Sequence, residues 1–386
     1  MWLLYMAFGL NMASLAPLVG DIEPDLAISH AAMGVILGAW QFVYIFAAIP
    51  CGLLLDRLGS RRGLAMGGLI IALSGVLRGY SEEHLHLLAA VALFGLGGPL
   101  ISAGAPKVIS EYFRGARRGL AMGVYITGPG VGAITALLLT QPVLMPLLDH
   151  DWRLLLQSWG MVALVASLFW IGVSRGEPKR REGLPQLRSA SADIRAILAL
   201  PAVRLILLMS IAVFAINHAM GNWLVQILMT FGANAQEASL IAVVPVVIGI
   251  CSALTLPGLA VGRRRYTVMA SLFVCSVLGS VLLLSMPTGP WLYVALGLEG
   301  VAAGAMMTVL ILTLVEVPGV GEGRAGTAGG FFFSAAEIGG VGGPVALGVL
   351  YGGAGNFVSG LALLALLGVF LVGSVIPLRR LLLTPE

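Results

Sequence analysis

Charge is what this sequence has least of. It carries 22 basic and 18 acidic side chains in 386 residues, so 10% are charged, against about 25% in soluble globular proteins. So few charges cannot cover the surface of a water-exposed globule this long, and a soluble fold is excluded. Disorder is excluded as well, because disordered chains are poor in apolar residues and this one is 59% hydrophobic. Cysteine is also scarce. Cys51, Cys251 and Cys275 each lie inside an apolar run, which reads as small core residues rather than a disulfide or a metal set.

Catalytic signatures are missing too. The sequence contains no HExxH, GxSxG or Walker pattern, so neither an enzyme nor an ATP-driven pump is indicated, and no cofactor or metal is implied. Gly321-Glu-Gly323-Arg-Ala-Gly326 matches the dinucleotide pattern letter for letter. It sits between two apolar runs without a βαβ unit, so the match is accidental. Glu82, Glu83, His84 and His86 crowd one short loop and read as a solvated turn rather than metal ligands. The N-terminus has no basic region ahead of its first apolar run, which therefore reads as a first membrane helix rather than a cleaved signal.

What is present is a series of apolar runs long enough to cross a bilayer, which takes about 20 residues each. Twelve are read, at 1–19, 30–55, 63–80, 86–110, 119–145, 153–174, 203–228, 236–260, 266–286, 291–316, 325–350 and 356–377. The one long polar stretch, 175–202, is expected to be a linker between a first unit, 1–174, and a second, 203–386. The 52 glycines suit close helix contacts in lipid. The two halves echo each other at an offset of 206 residues: Asn11 with Asn217, Gly52 with Gly258, Arg57 with Arg263 and Arg118 with Arg324. Six spans per half give both copies the same orientation, a parallel repeat.

The basic residues settle the expected orientation. With a cytoplasmic N-terminus, 19 of the 22 Lys and Arg fall in or beside cytoplasmic loops, and only Arg78 and Arg153 lie on the other side. That is the positive-inside pattern. The net charge of +4 therefore reports topology, and no nucleic-acid partner is expected. Both termini are expected in the cytoplasm and the chain in the inner or plasma membrane, as a monomer in the lipid bilayer.

The loop after the second run reads Gly52-Leu-Leu-Leu-Asp56-Arg57-Leu-Gly59-Ser-Arg61-Arg62. Here the chain resembles the major facilitator superfamily, whose pattern at this place is G-x-x-x-D-R/K-x-G-R/K-R/K, with Ser60 at one usually basic position. The second copy, Gly258 to Arg265, is degenerate, with Gly262 where the acid would stand. Glu111 and Arg118 after the fourth run, and Asp151-Trp152-Arg153 opening the sixth, are further family-like features. The resemblance implies an all-α membrane fold of twelve helices in two six-helix bundles. It also implies that Gly52, Asp56, Arg57, Gly59, Arg61, Arg62, Glu111 and Arg118 gate the cytoplasmic side; the alternative is a turn that only fixes topology. Gly128-Pro129-Gly130 looks like part of the motif of drug/proton exchangers, or is a kink needed for packing. Ala105-Pro106-Lys107-Val108 and Ala336-Glu337-Ile338-Gly339-Gly340 look like the branch holding nitrate, cyanate and monocarboxylate porters.

Ionisable groups in lipid cost about 2.5–3.5 kcal/mol each on insertion scales, so those inside the spans are candidates for function. Glu299 lies about 12 Å into span 10 at 1.5 Å per residue, and Glu337 is near the middle of span 11. Glu299 first, and Glu337 second, are expected to carry protons. His218, Asn222 and Gln226 follow an i, i+4, i+8 spacing that puts them on one helix face. With Asn11, Gln41, Lys107 and Glu299 they are expected to contact the solute. Each has a structural alternative: Lys107 can snorkel or pair with Glu111, and His218 or Glu337 can be hydrogen-bonded packing residues. The resemblance implies that spans 1, 4, 7 and 10 line a cavity and 3, 6, 9 and 12 face lipid; no ionisable residue is expected deep in the latter. The expected activity is secondary transport of a small organic solute by alternating access, coupled to a proton or another ion. Lys107 leans toward an organic anion, and the alternative is a multidrug/proton antiporter.

Overall fold

Runs of apolar residues without internal water must satisfy every backbone group within themselves, and in lipid a helix does so. The computed structural model describes residues 1–113, 116–174 and 196–383, and of these the side chains at 56, 110, 111, 116, 118–120 and 321–327 lie outside the description. Among the described residues twelve helices are long and apolar enough to cross a membrane. They are α1 (Trp2–Asp25), α2 (His30–Leu55), α3 (Arg57–Arg78), α4 (His84–Ile109), α5 (Ala121–Leu147), α6 (Trp152–Val173), α7 (Pro201–Thr230), α8 (Ala235–Leu259), α9 (Arg264–Leu284), α10 (Pro290–Val315), α11 (Ala328–Ala354) and α12 (Val358–Leu382).

Ten of these agree with the apolar runs to within about five residues. α3 begins earlier than its run, at Arg57, and α1 runs on to Asp25 through Asp21 and Glu23. It can do so because each acid finds a partner. Gln141 Nε2 donates to Asp21 at 2.6 Å, His30 lies 2.9 Å from Glu23, and Arg153 lies 2.7 Å from Asp25. The span is also broken inside, with helical turns over Trp2–Ala13 and Val19–Asp25 joined by a tight turn at Ala16–Leu18 that contains Pro17. Between α2 and α3 the chain turns at Gly59, whose φ of 80° is open to glycine at little cost.

The same pairings recur in both halves. α1 packs on α5 as α7 packs on α11, α4 packs on the helices of the α2–α3 pair as α10 packs on α8 and α9, and α3 packs on α6 as α9 packs on α12. Small residues permit the closest crossings. A Cβ at Gly75 on α3 would sit 2.6 Å from Gly160 Cα on α6, and one at Gly300 on α10 would sit 2.6 Å from the Pro245 carbonyl on α8. The Gly128-Pro129-Gly130 stretch belongs to the same class: Gly9 and Gly132 let α1 and α5 touch backbone to backbone at Pro129 and Met6. Packing therefore accounts for that stretch.

Apolar side chains cover the outside. On α6, Val165, Leu168 and Phe169 are each more than half exposed, as expected where lipid replaces water. Cys251 is likewise exposed, whereas Cys51 is buried and Cys275 half-buried. Cys251 is thus not a core residue: it shares an exposed face of α8 with Val247 and Leu254.

The halves meet along α2 with α11 and α5 with α8. At the end away from the termini the contact is tight. A Cβ at Gly34 would lie 2.8 Å from the Pro344 carbonyl, and one at Gly38 would lie 3.2 Å from that of Val341. At the end carrying the termini the matching glycines are open: a Cβ on Gly52, Gly123, Gly258 or Gly329 would meet nothing within 4 Å. Among the described residues, the α2–α11 backbones are thus in close contact at the end away from the termini, and these glycines at the other end make no such contact.

A candidate solute cavity and a cluster between the halves

α7 carries polar residues at three successive turns of one face, His218, Asn222 and Gln226. His218 is its first, and it lies at the seam between the halves. The Gln41 side-chain amide on α2 donates to His218 Nδ1 at 3.2 Å. An imidazole that accepts at Nδ1 carries its hydrogen on Nε2, and that nitrogen stands 4.0 Å from Glu337 Oε2 on α11. Gln41 is fully buried and Glu337 is 4% exposed. Gln41 Oε1 and Glu337 Oε2 are buried without a hydrogen-bond partner. Gly340, one turn on from Glu337, leaves the room: a Cβ there would press on the Glu337 carboxylate and lie 3.2 Å from Gln41 Cγ. Trp40 and Phe214 close round the imidazole, with ring centroids 5.6 and 5.5 Å away. Tyr44, one turn below Trp40 on α2, bonds Ser102 of α4 at 2.9 Å.

Further along α7, Asn222 donates to the His218 carbonyl at 2.7 Å, a bond within its own helix. Gln226 is 8% exposed with Nε2 unpartnered, 3.3 Å from where a Cβ would stand on Gly20 of α1. His218 and Gln226 therefore meet the other half, and Gln226 is packed into the closed seam.

The closed end is held by an aromatic clamp. His30, at the start of α2, stacks on Tyr351 of α11 at 3.8 Å and on Trp223 of α7 at 5.4 Å, while its Nδ1 lies 2.9 Å from Glu23. Composition gave no signal for this group, because its members are far apart in sequence.

A cavity of about 300 Å³ lies between α5, α7, α8 and α10, at the small end of ligand pockets. Its polar lining is Thr127, Asn217 and Glu299, and the rest is apolar. Asn217 is the repeat partner of Asn11, and the two have different surroundings. Asn217 reaches the Ala303 carbonyl at 3.5 Å and leaves Oδ1 unpartnered.

Several expected solute contacts are elsewhere. Asn11 is 1% exposed and donates to the carbonyls of Ala7 and Trp159 at 3.0 and 3.2 Å; it joins α1 to α6 and is not at the cavity. Lys107 donates to the Leu55 carbonyl at the end of α2, at 3.4 Å, so it belongs to the α2–α3 turn. Glu299 borders the cavity, but its carboxylate turns away and accepts from Ser280 of α9 at 2.8 Å. Of the two acids only Glu337 lies between the halves.

Among the residues expected to gate, Arg61 donates through Nε to Ser174 Oγ and through its second terminal nitrogen to the Ile171 carbonyl, each at 3.2 Å. Its own carbonyl accepts from Trp170 Nε1 at 3.0 Å. It therefore ties the α2–α3 turn to the end of α6. Arg57 and Arg62 are exposed. The side chains of Asp56, Glu111 and Arg118 lie outside the described residues. The second half has an ion pair at the equivalent place, Arg265 of α9 with Glu316 just past α10.

One buried charge runs against expectation. Arg78, at the end of α3, is 1% exposed. Its guanidinium donates to the Asn11 carbonyl at 2.8 Å and to Ser14 Oγ at 3.3 Å, and lies 5.5 Å from the Phe94 ring centroid. Asn11 is in the last turn of the Trp2–Ala13 segment, where unpaired carbonyls and the negative end of the helix dipole favour a cation. The sequence reading counts Arg78 with Arg153 on the side away from the cytoplasm and gives it no buried partner; the break in α1 supplies one.

Comparison with known proteins gives a consistent picture. A family model described as Major Facilitator Superfamily matches residues 1–344. The Hexuronate transporter of Bacillus subtilis (strain 168) is 23% identical, over 92% of this chain and 87% of its own length. The Probable L-galactonate transporter of Escherichia coli (strain K12) is 26% identical, over 42% of this chain and 35% of its own. This match, like that to a chloroplast anion transporter covering 24% of the relative, spans only a minor part of the relative's length. Among solved structures, a bacterial homolog of the human lysosomal transporter Spinster, inward-facing and unoccupied, has a TM-score of 0.77 at 17% identity, covering 100% of this chain and 97% of that one. The nucleoside transporter NupG has a TM-score of 0.78 at 16% identity, covering 98% and 97%.

Proposed function

The chain belongs to the Major Facilitator Superfamily, and on that premise we propose that it is a proton-coupled secondary transporter of small organic acids working by alternating access. The two units, 1–174 and 203–386, rock about the central seam. The open end, with both termini, faces the cytoplasm of a cell that holds this monomer in its inner or plasma membrane. The names of the relatives support a solute of the organic-acid class, and the positive-inside pattern supports the orientation.

The observation that carries the coupling is the Gln41–His218–Glu337 cluster. It joins one residue of the first half to two of the second, with the Glu337 oxygen nearest His218 unpartnered. Rocking the halves apart at the closed end separates Gln41 from His218 and opens Glu337 to water. A proton gained or lost there changes the cost of closing the seam again, because a buried unpaired charge is expensive. Glu299 is bonded within one half, so rocking leaves its surroundings less changed, and we assign it the lesser role.

Uptake into proteoliposomes under an imposed pH gradient tests this. Glu337→Gln is expected to abolish gradient-driven accumulation while leaving exchange of solute for solute. Accumulation by Glu337→Gln at the unmodified rate would remove Glu337 from the coupling. A second reading, a multidrug/proton antiporter, is favoured by the apolar lining of the cavity. Resistance of an expressing host to lipophilic cations would support it against the organic-acid reading.

A further inference from the structure

The walls of the cavity between α5, α7, α8 and α10 are poor in hydrogen-bonding groups. Thr127 Oγ1 already donates to the Val124 carbonyl at 2.7 Å and accepts from the Trp2 indole at 3.1 Å. The Glu299 carboxylate is held by Ser280. That leaves the second oxygen of Glu299 and Asn217, whose Oδ1 is buried and unpartnered. No Lys or Arg is among the described residues lining the cavity.

A polyhydroxylated solute needs a partner for each hydroxyl it buries, since unpaired polar groups are costly away from water. The free oxygen and spare amide hydrogen of Asn217 and the second oxygen of Glu299 are too few to supply them. The geometry points to a solute with a compact apolar body and a single polar head group that places a hydrogen on Asn217 Oδ1, as a protonated acid does. This separates the chain from sugar-acid carriers such as the hexuronate transporter it resembles. That the head group is an acid rests on the function proposed above; that the body is apolar does not.

Binding to the purified full-length protein, read by calorimetry at about pH 5 and about pH 7 so that the share of protonated acid varies, tests this with three probes: phenylacetate, galacturonate, and phenethylamine as the same body with an amine head. Phenylacetate is expected to bind at least about tenfold more tightly than galacturonate, the size of discrimination that unpaired polar groups produce. Asn217→Leu is expected to weaken phenylacetate severalfold. Gly221→Leu fills the cavity from a position where a Cβ meets nothing within 4 Å, so the fold is kept, and it is expected to abolish binding. Galacturonate binding as tightly as phenylacetate overturns the inference. So do failure of all three probes to bind and unchanged binding by Gly221→Leu. Preference for phenethylamine upholds the apolar body and overturns the organic-acid reading instead.

Discussion

Arg78 and Glu337 show how a buried ionisable group reads differently once its neighbours are known. Arg78 closes the broken end of the first helical segment, and its two hydrogen bonds fix Asn11 and Ser14. Charge-assisted hydrogen bonds contribute about 1.5–3 kcal/mol each, so Arg78→Leu is expected to lower stability by roughly 2–4 kcal/mol. Thermal unfolding in detergent measures it, and a melting temperature equal to the unmodified protein's would contradict the capping role. Glu337, by contrast, has an oxygen with no partner, so little structure depends on its charge. Glu337→Gln is therefore expected to leave the melting temperature nearly unchanged while accumulation is lost. That contrast separates a working group from a structural one.

At the scale of the helix, α2 and α11 decide which end is shut. Their contact depends on glycines that let backbones approach, Gly34 and Gly38 on one side and Gly348 on the other, where a side chain would meet the His30 carbonyl. Gly34→Leu is expected to hold the seam apart and shift the molecule toward opening at the end away from the termini. Spin-label distances across that end would lengthen by several ångströms; an unchanged distribution would show that the contact is not limiting. His30→Ala removes the ring between Trp223 and Tyr351 and should move the distances the same way with less effect, because the backbone contact remains.

For the whole molecule the test is orientation. Glu83, in the exposed α3–α4 loop, and Arg62, exposed beside Gly59, belong to opposite ends. In a cysteine-free background, Glu83→Cys is expected to react with an impermeant maleimide in intact cells. Arg62→Cys should react only after the membrane is opened. The reverse pattern would invert the topology and with it the sense of transport.

The sequence by itself determined the solvent, the number of spans and the duplication, because these depend on sums: apolar length against bilayer thickness, and repeats against a fixed offset. It also pointed to His218 and Gln226 as one face of α7, since helical spacing is local. It put Glu299 ahead of Glu337, and it could not tell Asn11 from Asn217. The members of each pair differ in what lies across from them: Ser280 of the same half against Gln41 and His218 at the seam, a packed carbonyl of α6 against a cavity. The clamp around His30 and the buried partners of Arg78 were beyond it for the same reason. Tertiary structure alone decided which of the few polar groups meet another polar group and which are left to act, because in lipid the cost of an unpaired group depends on its neighbours in space.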